Sequence, residues 1–337
     1  MSQAPTVAVV VLNWNQADLT LRCLESVRNQ DYQHATVLVV DNGSATGEHE
    51  RLRVGLPEAV ELLALPANQG FAGGMNRGIE SALSSGAEFV WLLNNDAFPE
   101  PTCLTRLVEA VSGGSDVGAA APALFDPDGT EQFSWAHIDW RTLEMHTHAA
   151  STRPGPRLGT WLSGTAPLLR ASALRSVGTF DERFFAYMEE VELFLRFSRA
   201  GYRLAVAPTA RCVHLQSGST GGGFSPFSAF MITRNSHLFF RQYPSRHGRI
   251  ARRVLLFANT LSDVYADAHQ GRAAQASARL QGLAAGLRAE TGSPARFDAG
   301  KKWCRYATVL IRRSPFRLIA WAQRFARSIA RPRQPVN

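Results

Sequence analysis

The chain has 337 residues, of which 45% are hydrophobic and 19% are charged, so it can bury a large core and global disorder is excluded. Its net charge of +8 is unevenly distributed: residues 224–337 contain 20 basic and four acidic side chains, whereas residues 1–223 contain 16 basic and 24 acidic ones. The acidic N-terminal part argues against a nucleic-acid-binding protein.

The first 96 residues alternate between strand and helix patterns. Runs of β-branched and other apolar residues predict strands buried on both faces at residues 7–12, 36–40, 60–65 and 89–93. Helical spacing of apolar residues predicts helices at residues 18–30 and 75–84. The alternation predicts an α/β fold with a doubly wound, mostly parallel sheet flanked by helices.

The pattern is looser beyond residue 96. Strands are predicted at residues 117–124, within 158–169 around Gly164, and at 202–207 before Pro208, with a helix at 189–200 closed by Gly201. Residues 217–223 have the composition of a flexible loop, and the chain is helical and basic from there on. We therefore predict a nucleotide-binding domain at residues 1–225 and a helical, basic C-terminal region at residues 226–337.

Signals for targeting and for disulfide bonds are weak. The N-terminal sequence MSQAPTVAVV lacks the basic start and the cleavage site of a signal peptide, and no apolar run approaches the roughly 18 residues of a spanning helix. The four cysteines are far apart and include no CxxC pair, which fits a reducing compartment. We expect a cytoplasmic protein, either free or peripheral at the inner face of the membrane.

Polar side chains follow each of the first four predicted strands. They are Asn13 and Asn15, Asp41, Asn68, and the run Asn94, Asn95 and Asp96. In open α/β sheets, ligands bind at the carboxyl ends of the strands. The sequence therefore predicts a ligand site at this edge of the sheet.

Two of these segments suit a nucleotide. Asp41, in the turn VVDNGS, can accept a hydrogen bond from a nucleobase imide or a ribose hydroxyl, although the motif taken alone favours an ordinary Asx-turn. The segment NQGFAGGMNRG, which includes Asn68, Gly70 and Asn76, has backbone amides that can approach a nucleotide closely, or it is a flexible connector. Its glycines do not form GxGxxG, which disfavours a nicotinamide-dependent oxidoreductase.

Two further segments suit a metal ion. Asp96, with the amides of Asn94 and Asn95, offers the oxygen ligands that Mg²⁺ or Mn²⁺ prefers, and a metal there would neutralise a departing diphosphate. A polar turn ahead of Pro99 is the alternative. His214 follows a short strand and can be a second ligand, although a lone histidine is more often structural.

Three acidic residues open the helix predicted at residues 189–200. Acids at Glu189, Glu190 and Glu192 complement the helix dipole, and Glu192 can pair with Arg196 one turn later. That structural role explains one or two of them. A remaining carboxylate behind the aromatic run at residues 184–187 can act as a general base.

Six motifs occur in a characteristic order: VVVLNWN, VVDNGS, NQGFAGGMNRG, WLLNNDA, FFAYMEEVELFLRFSRAGYR and VHLQSGS. Together they resemble family 2 glycosyltransferases of the GT-A fold, most of all the rhamnosyltransferase-like branch that builds bacterial cell-wall and surface polysaccharides. The resemblance covers about residues 6–234. Each motif is weak alone, but six in order are specific for the family and not for the sugar.

The resemblance implies roles for individual residues. Asp41 would contact the nucleobase, Asp96 would bind the metal and His214 would be a second ligand. Glu190 stands where the family has its catalytic base, although the motif reads Glu-Glu-x-Glu here in place of Glu-Asp-x-Asp, which changes the reach of the side chain. The donor pocket would include Asn13, Asn15, Asn68, Gly70, Asn76, Asn94 and Asn95. Further site candidates are Glu189, Glu192, Gly164 and Arg234.

The resulting expectation is an inverting, metal-dependent glycosyltransferase that uses Mg²⁺ or Mn²⁺. Its donor would be a UDP- or dTDP-sugar, such as a rhamnose or another deoxysugar donor, and its acceptor a saccharide or a polyprenyl-linked compound. The alternative is a degenerate GT-A fold that serves as a nucleotide-sugar-binding scaffold. No recognised nucleic-acid-binding motif occurs, in spite of a pI near 9.8.

The basic tail allows two interpretations. Beyond Pro315, arginines fall on one helical face and Leu318, Trp321 and Phe325 fall on an adjoining face, as in a helix that lies on an anionic membrane surface. Alternatively, the same helix packs on the acidic catalytic domain. The sequence favours the two equally.

Overall fold

A computed structural model describes residues 4–152, 159–216, 224–243, 248–294 and 297–298. The chain divides into two compact units, the first within Met1–His137 and His146–Ser219 and the second within Ile138–Met145 and Thr220–Asn337. The predicted assignment of residues 1–225 to a nucleotide-binding domain stays a prediction. The loop at residues 217–223 and the helix predicted beyond Pro315 lie outside the described residues.

Eight strands of the first unit form one mixed sheet with the order β3-β2-β1-β4-β10-β6-β11-β5. These strands are β1 (Val7–Asn13), β2 (Ala35–Asp41), β3 (Val60–Ala64), β4 (Phe89–Asn94), β5 (Ala97–Pro99), β6 (Val117–Phe125), β10 (Leu168–Arg170) and β11 (Arg203–His214). Pairing is parallel from β3 to β4 and between β6 and β11, whereas β10 and β5 run antiparallel to their neighbours. The predicted α/β fold with a mostly parallel sheet is confirmed.

Three short strands form a second sheet with the order β8-β7-β9. They are β7 (Trp135–Asp139), β8 (Glu144–His148) and β9 (Thr160–Leu162). The helices that follow the strands of the first unit are α1 (Ala17–Arg28), α2 (Thr46–Gly55), α3 (Gly70–Ser84), α4 (Cys103–Ser112), α5 (Ala171–Val177) and α6 (Glu189–Arg199). The apolar core of the first unit lies between the large sheet and these helices, and it includes the fully buried Val9, Trp91 and Leu107.

The glycine-rich segment is not a connector. It forms the first turns of α3, which begins at Gly70 and not near Met75 as the apolar spacing predicted. Gly70 has φ +76, a conformation that favours glycine, and a Cβ built on it would lie 2.4 Å from the carbonyl oxygen of Phe185. Close contact between this turn and the backbone of Phe185 therefore requires glycine here.

Strand β11 does not stop at Pro208, as the sequence predicted, but continues to His214. The register with β6 shifts between Ala207 and Arg211, so the proline lies in an irregularity and removes no regular ladder bond. This continuation has a consequence for the site, because it brings His214 opposite Ala97 of β5.

Beyond residue 224, the described part of the second unit is helical, as predicted. It contains α7 (Pro226–Gln242), α8 (Arg249–His269) and α9 (Ala273–Leu287). Gly286 lets α9 approach α7 closely, since a Cβ there would lie 2.7 Å from Cβ of His237. Among the described residues, no helix is long and apolar enough to cross a membrane.

Candidate active site

The carboxyl ends of three neighbouring strands carry the predicted polar residues. Asn13 at the end of β1 lies opposite Asp41 of β2, and Leu12 lies opposite Asn94 of β4. The backbone amide of Asn42 donates to the carbonyl oxygen of Asn13 at 2.9 Å. Parallel pairing thus places these residues at one edge of the sheet, as the sequence predicted.

The Asp41 carboxylate is buried, with 2% of the residue exposed, and it organises the turn around it. One oxygen accepts hydrogen bonds from Ser44 and from Nδ2 of Asn13, the latter at 3.1 Å. The other oxygen lies 2.7 Å from Nδ1 of His49. A carboxylate accepts about four hydrogen bonds, so one acceptor position remains for a ligand. The predicted contact between Asp41 and a nucleobase stays a prediction.

Asn15 and Asn68 shape the loops on either side of Asp41. Asn15 has φ +53, and its side-chain oxygen accepts from the amide of Ala45 at 2.7 Å. The side-chain oxygen of Asn68 accepts from the amide of Gly70 at 2.7 Å. These bonds fix the backbone of two loops that border the sheet edge.

Asn76 and Asn95 make contacts within the protein. Asn76 bonds the backbone of Phe180 twice, through Nδ2 to its carbonyl oxygen and through Oδ1 to its amide, both at 2.9 Å. Nδ2 of Asn95 donates to the hydroxyl of Thr20 at 3.1 Å. Both asparagines are buried and hold neighbouring segments in place, so their predicted nucleotide contacts have no support in these bonds and stay predictions.

Asp96 and His214 lie together between β4 and β5. Nε2 of His214 is 3.3 Å from Oδ1 of Asp96, and both side chains are largely buried. Nδ1 of His214 lies 3.0 Å from Oε1 of Gln132. If Nδ1 carries the proton and donates to Gln132, the lone pair of Nε2 faces the carboxylate, which is the arrangement of a metal-ligating histidine with an outer partner.

The residues at this position fit a divalent cation that is shared with a diphosphate. In the described part of the chain, no group of three or more His, Cys, Asp or Glu side chains could hold a metal. Mg²⁺ and Mn²⁺ do not need one, because they are often bound by one or two protein ligands together with phosphate oxygens. The side-chain oxygen of the neighbouring Asn94 is buried and has no partner among the described residues, which leaves it available to a ligand.

Each of the two carboxyl groups at the start of α6 has one oxygen without a partner. Oε2 of Glu189 and Oε2 of Glu190 are buried and have no hydrogen-bond partner in the described ranges. Burial raises the pKa of Glu190 to about 7, although backbone hydrogen bonds with Met188 and Val191 act in the opposite direction. Burial and the charge of Glu190 raise the pKa of Glu189 well above its ordinary value. A carboxyl with an available oxygen and a pKa near neutrality suits a general base.

The segment before α6 has an unusual backbone. Phe185, Tyr187 and Met188 have φ values of +65, +66 and +74, which non-glycine residues rarely adopt and which cluster at functional sites. This strained turn leads directly into the first turn of α6. A Cβ on Gly164 would lie 3.7 Å from Cβ of Glu190, so Gly164 packs against the glutamate.

Gly164 connects Glu190 to the edge of the sheet that carries Asp96. The next residue, Thr165, accepts through its carbonyl oxygen from the amide of Asn94 at 2.9 Å. The start of α6 therefore packs on a segment that bonds the end of β4, two residues before Asp96. The candidate metal ligands and the candidate base thus lie near one edge of the sheet.

Residues 8–178 match Glycosyl transferase family 2. The chain belongs to this family. As predicted from its motifs, it is a glycosyltransferase.

Individual relatives of this glycosyltransferase agree with that assignment. It is 31% identical over 240 residues to N-acetylglucosaminyl-diphospho-decaprenol L-rhamnosyltransferase of Mycobacterium tuberculosis, covering 63% of this chain and 77% of that protein. It is 28% identical over 221 residues to galactofuranosyltransferase GlfT1 of Mycolicibacterium smegmatis, covering 64% and 72%. The solved structure of mannosyltransferase PcManGT from Pyrobaculum calidifontis with GDP-Man and Mn²⁺ has a TM-score of 0.52 at 18% identity, covering 98% and 86%, and shares the fold.

Two further candidate site residues of the glycosyltransferase, Glu192 and Arg234, have hydrogen-bond or ion-pair partners within the protein. Glu192 forms the predicted ion pair with Arg196, at 2.7 Å. Arg234 belongs to the second unit, where it is buried and donates through Nη1 to the carbonyl oxygen of Gly292 at 2.7 Å. Burial lowers the pKa of Arg234 to about 10. A role in the site stays a prediction for both residues.

Sequence reasoning did not single out Ser44, His49 or Gln132 of the glycosyltransferase. Ser44 lies in the same turn as Asp41, so the motif VVDNGS held the signal for it. His49 belongs to α2 and reaches Asp41 only because that helix folds back over the turn. Gln132 contacts His214 across 82 residues, and nothing local in the sequence indicates it.

Burial of Glu189 leads to a prediction about stability. The pKa of Glu189 in the folded state lies above the ordinary value of 4.5. The protonated side chain therefore favours the folded state below about pH 4.5, and this contribution to the free energy of unfolding is lost as the pH rises through the folded-state pKa. We therefore expect Glu189→Gln to raise the free energy of unfolding by about 1–3 kcal/mol near pH 8, and by much less near pH 4. Urea unfolding at both pH values measures this.

The matched control is Glu58→Gln, because Glu58 is exposed. It should leave the free energy of unfolding unchanged at both pH values. A Glu189→Gln protein that is less stable than the wild type near pH 8 would contradict the conclusion that burial of this carboxylate destabilises the fold.

Proposed function

We propose that the chain is an inverting, metal-dependent glycosyltransferase that moves rhamnose or another deoxysugar from a UDP- or dTDP-sugar. The acceptor is a saccharide or a polyprenyl-linked compound, and the product is part of a cell-surface polysaccharide. The observation that carries the proposal is the Asp96–His214 pair together with the nearby carboxyl of Glu190, whose buried Oε2 has no hydrogen-bond partner among the described residues.

The relatives support the choice of substrates. One is named as a rhamnosyltransferase that acts on a diphospho-decaprenol, and another as a galactofuranosyltransferase. A protein of the same fold was solved with a nucleotide sugar and Mn²⁺. A nucleoside diphosphate as leaving group is the chemistry that these sugar donors share, and it is what a metal at Asp96 and His214 would hold.

The proposed chemistry assigns one role to each group. When bound at Asp96 and His214, a divalent cation supplies positive charge against the diphosphate leaving group. Glu190 accepts the proton of the acceptor hydroxyl as that oxygen attacks the anomeric carbon from the face opposite the diphosphate. Burial at the start of α6 raises the pKa of Glu190 to about 7, so the carboxylate is ionised above that pH and is a stronger base than an exposed carboxylate.

A panel of nucleotide sugars tests the proposal. Each donor is incubated with Mn²⁺ and a prenyl-diphosphate-linked saccharide, and both nucleotide release and glycosylated product are measured. We expect transfer from at least one UDP- or dTDP-sugar. Tight donor binding without turnover of any donor would instead support the nucleotide-sugar-binding scaffold.

A substitution at Asp41 tests the donor pocket. Because Asp41 holds Asn13, Ser44 and His49 in position, we expect Asp41→Ala to weaken nucleotide binding by roughly 10- to 100-fold, with a smaller effect on the turnover of bound donor. Calorimetric titration with UDP and dTDP measures it, and Asp18→Ala on the surface is the control. Unchanged affinity for both nucleotides would remove Asp41 from the pocket.

A further inference from the structure

The second unit contains a cavity of about 310 Å³ with a cationic lining. Arg241 of α7 and Arg249, Arg252 and Arg253 of α8 line it, together with apolar side chains and His237. No acidic residue is among its described lining residues. We call it the arginine cavity.

Arg252 is the central feature of this cavity. Only 9% of it is exposed, and its guanidinium has no hydrogen-bond or ion-pair partner in the part of the chain that the structure describes. The residues outside that part contain no Asp or Glu, so they cannot supply a side-chain carboxylate either. Burial, together with the charges of Arg249 and Arg253, lowers the pKa of Arg252.

Other arginines of the same unit are neutralised. Arg272 and Arg279 both pair with the buried Asp267, at 2.6 and 2.7 Å. Arg288 pairs with Glu290 at 2.8 Å. The basic composition of this unit therefore does not by itself leave an arginine without a carboxylate partner.

The position of these arginines on α8 makes their positive charge still less favourable. Arg249, Arg252 and Arg253 occupy the first turns of a 21-residue helix, where the helix dipole is positive and disfavours cations. A buried cation without a partner costs free energy, and like charges nearby increase that cost. An anion in the cavity would offset all three effects, because helix N-termini and arginines both bind anions.

The chemistry of the lining indicates which anion fits. Guanidinium groups bind phosphate oxygens through two parallel hydrogen bonds, and several of them together suit a phosphate or a diphosphate. Two aliphatic side chains beside these arginines are exposed to solvent, namely Ile250 at 79% and Leu287, itself in the lining, at 56%. A cationic pocket beside exposed aliphatic groups suits a phosphate at the end of an apolar chain.

We propose that the arginine cavity binds a phosphate or diphosphate group, and that the group belongs to a lipid. The site lies in the helical unit and is separate in sequence from the residues proposed for transfer. The inference does not depend on the proposed donor, acceptor or catalytic base.

Calorimetric titration of the full chain with inorganic diphosphate tests the shared chemistry. EDTA is present, so that binding through a metal at Asp96 is suppressed. We expect one site per chain and a roughly 10- to 100-fold loss of affinity in Arg252→Gln, the value of a hydrogen-bonded charge. Arg28→Gln, an equal charge change on an exposed residue, should bind diphosphate as the wild type does.

A second variant guards against a folding defect. Arg249→Gln combined with Arg253→Gln changes only exposed residues, and it should weaken diphosphate binding while the thermal transition is preserved. The proposal is overturned if diphosphate does not bind, or if it binds equally well to the wild type and to Arg252→Gln.

Vesicles distinguish the two sources of the phosphate. Phosphatidylcholine vesicles with phosphatidic acid expose a phosphomonoester, and those with phosphatidylglycerol expose a diester. A preference for phosphatidic acid that disappears in Arg252→Gln would assign the site to a lipid phosphate. General attraction of the basic tail to anionic vesicles would remain in both the wild type and Arg252→Gln. Diphosphate binding without such a preference would overturn the lipid assignment in favour of a soluble phosphate.

Discussion

Glu190→Gln should lower the turnover of sugar transfer by roughly 10²- to 10⁴-fold and leave donor binding nearly intact. Glutamine keeps the size and much of the hydrogen bonding of the side chain but cannot accept the acceptor proton. Glu190 is the better base of the adjacent pair because it is partly exposed, whereas Glu189 is 5% exposed. Gly164 also places it beside the segment that bonds β4.

Two control substitutions locate the base. Glu189→Gln should retain most of the turnover, and Glu192→Gln should act through stability, because it breaks the pair with Arg196. Steady-state kinetics with saturating donor, together with calorimetric donor affinity, separates the two effects. If Glu189→Gln abolishes transfer and Glu190→Gln does not, the base is Glu189 and the motif is shifted by one residue.

Removal of the metal should have the second large effect. We expect EDTA to abolish transfer and excess Mn²⁺ or Mg²⁺ to restore it, because a divalent cation at Asp96 and His214 would offset the charge of the leaving diphosphate. Asp96→Asn should lower turnover by roughly 10²-fold or more, since it removes the charged ligand and retains the shape of the side chain.

A binding measurement separates metal loss from other defects. Titration of Mn²⁺ in the presence of UDP, followed by electron paramagnetic resonance, should show weaker binding in Asp96→Asn and in His214→Ala, but not in the surface variant Asp18→Asn. Full transfer activity in EDTA would overturn the metal proposal.

The part of the fold that follows from local pattern was predictable. Strands β1, β2 and β4 were evident because burial on both faces requires nearly continuous apolar runs. Strand β3 was found at the predicted place, but it lies at the edge of the sheet and none of its residues is buried, so the predicted burial on both faces was wrong. Helix α2 was not predicted, since Leu52 is its only buried residue and its apolar periodicity is weak. The end of β11 was misplaced because a proline normally ends a strand, whereas here an irregular register accommodates it.

The candidate site was also predictable only in part. The clustering of Asn13, Asp41 and Asn94 was predictable, since parallel strands bring their carboxyl ends to one edge. The contacts of Asn76 were not, because its partner Phe180 is 104 residues away. Such pairings depend on the tertiary approach of two segments, and a single sequence holds no local signal for them.

The pH dependence of the transfer step is the most direct test of the proposed base. Single-turnover rates with donor and acceptor bound report the ionisation of the bound complex. We expect the wild-type rate to rise with pH and to level off with an inflection at about pH 7, the value to which burial raises the pKa of Glu190, whereas Glu190→Gln should be slow and flat over the same range. The same inflection in both proteins would contradict the assignment of Glu190 as the base.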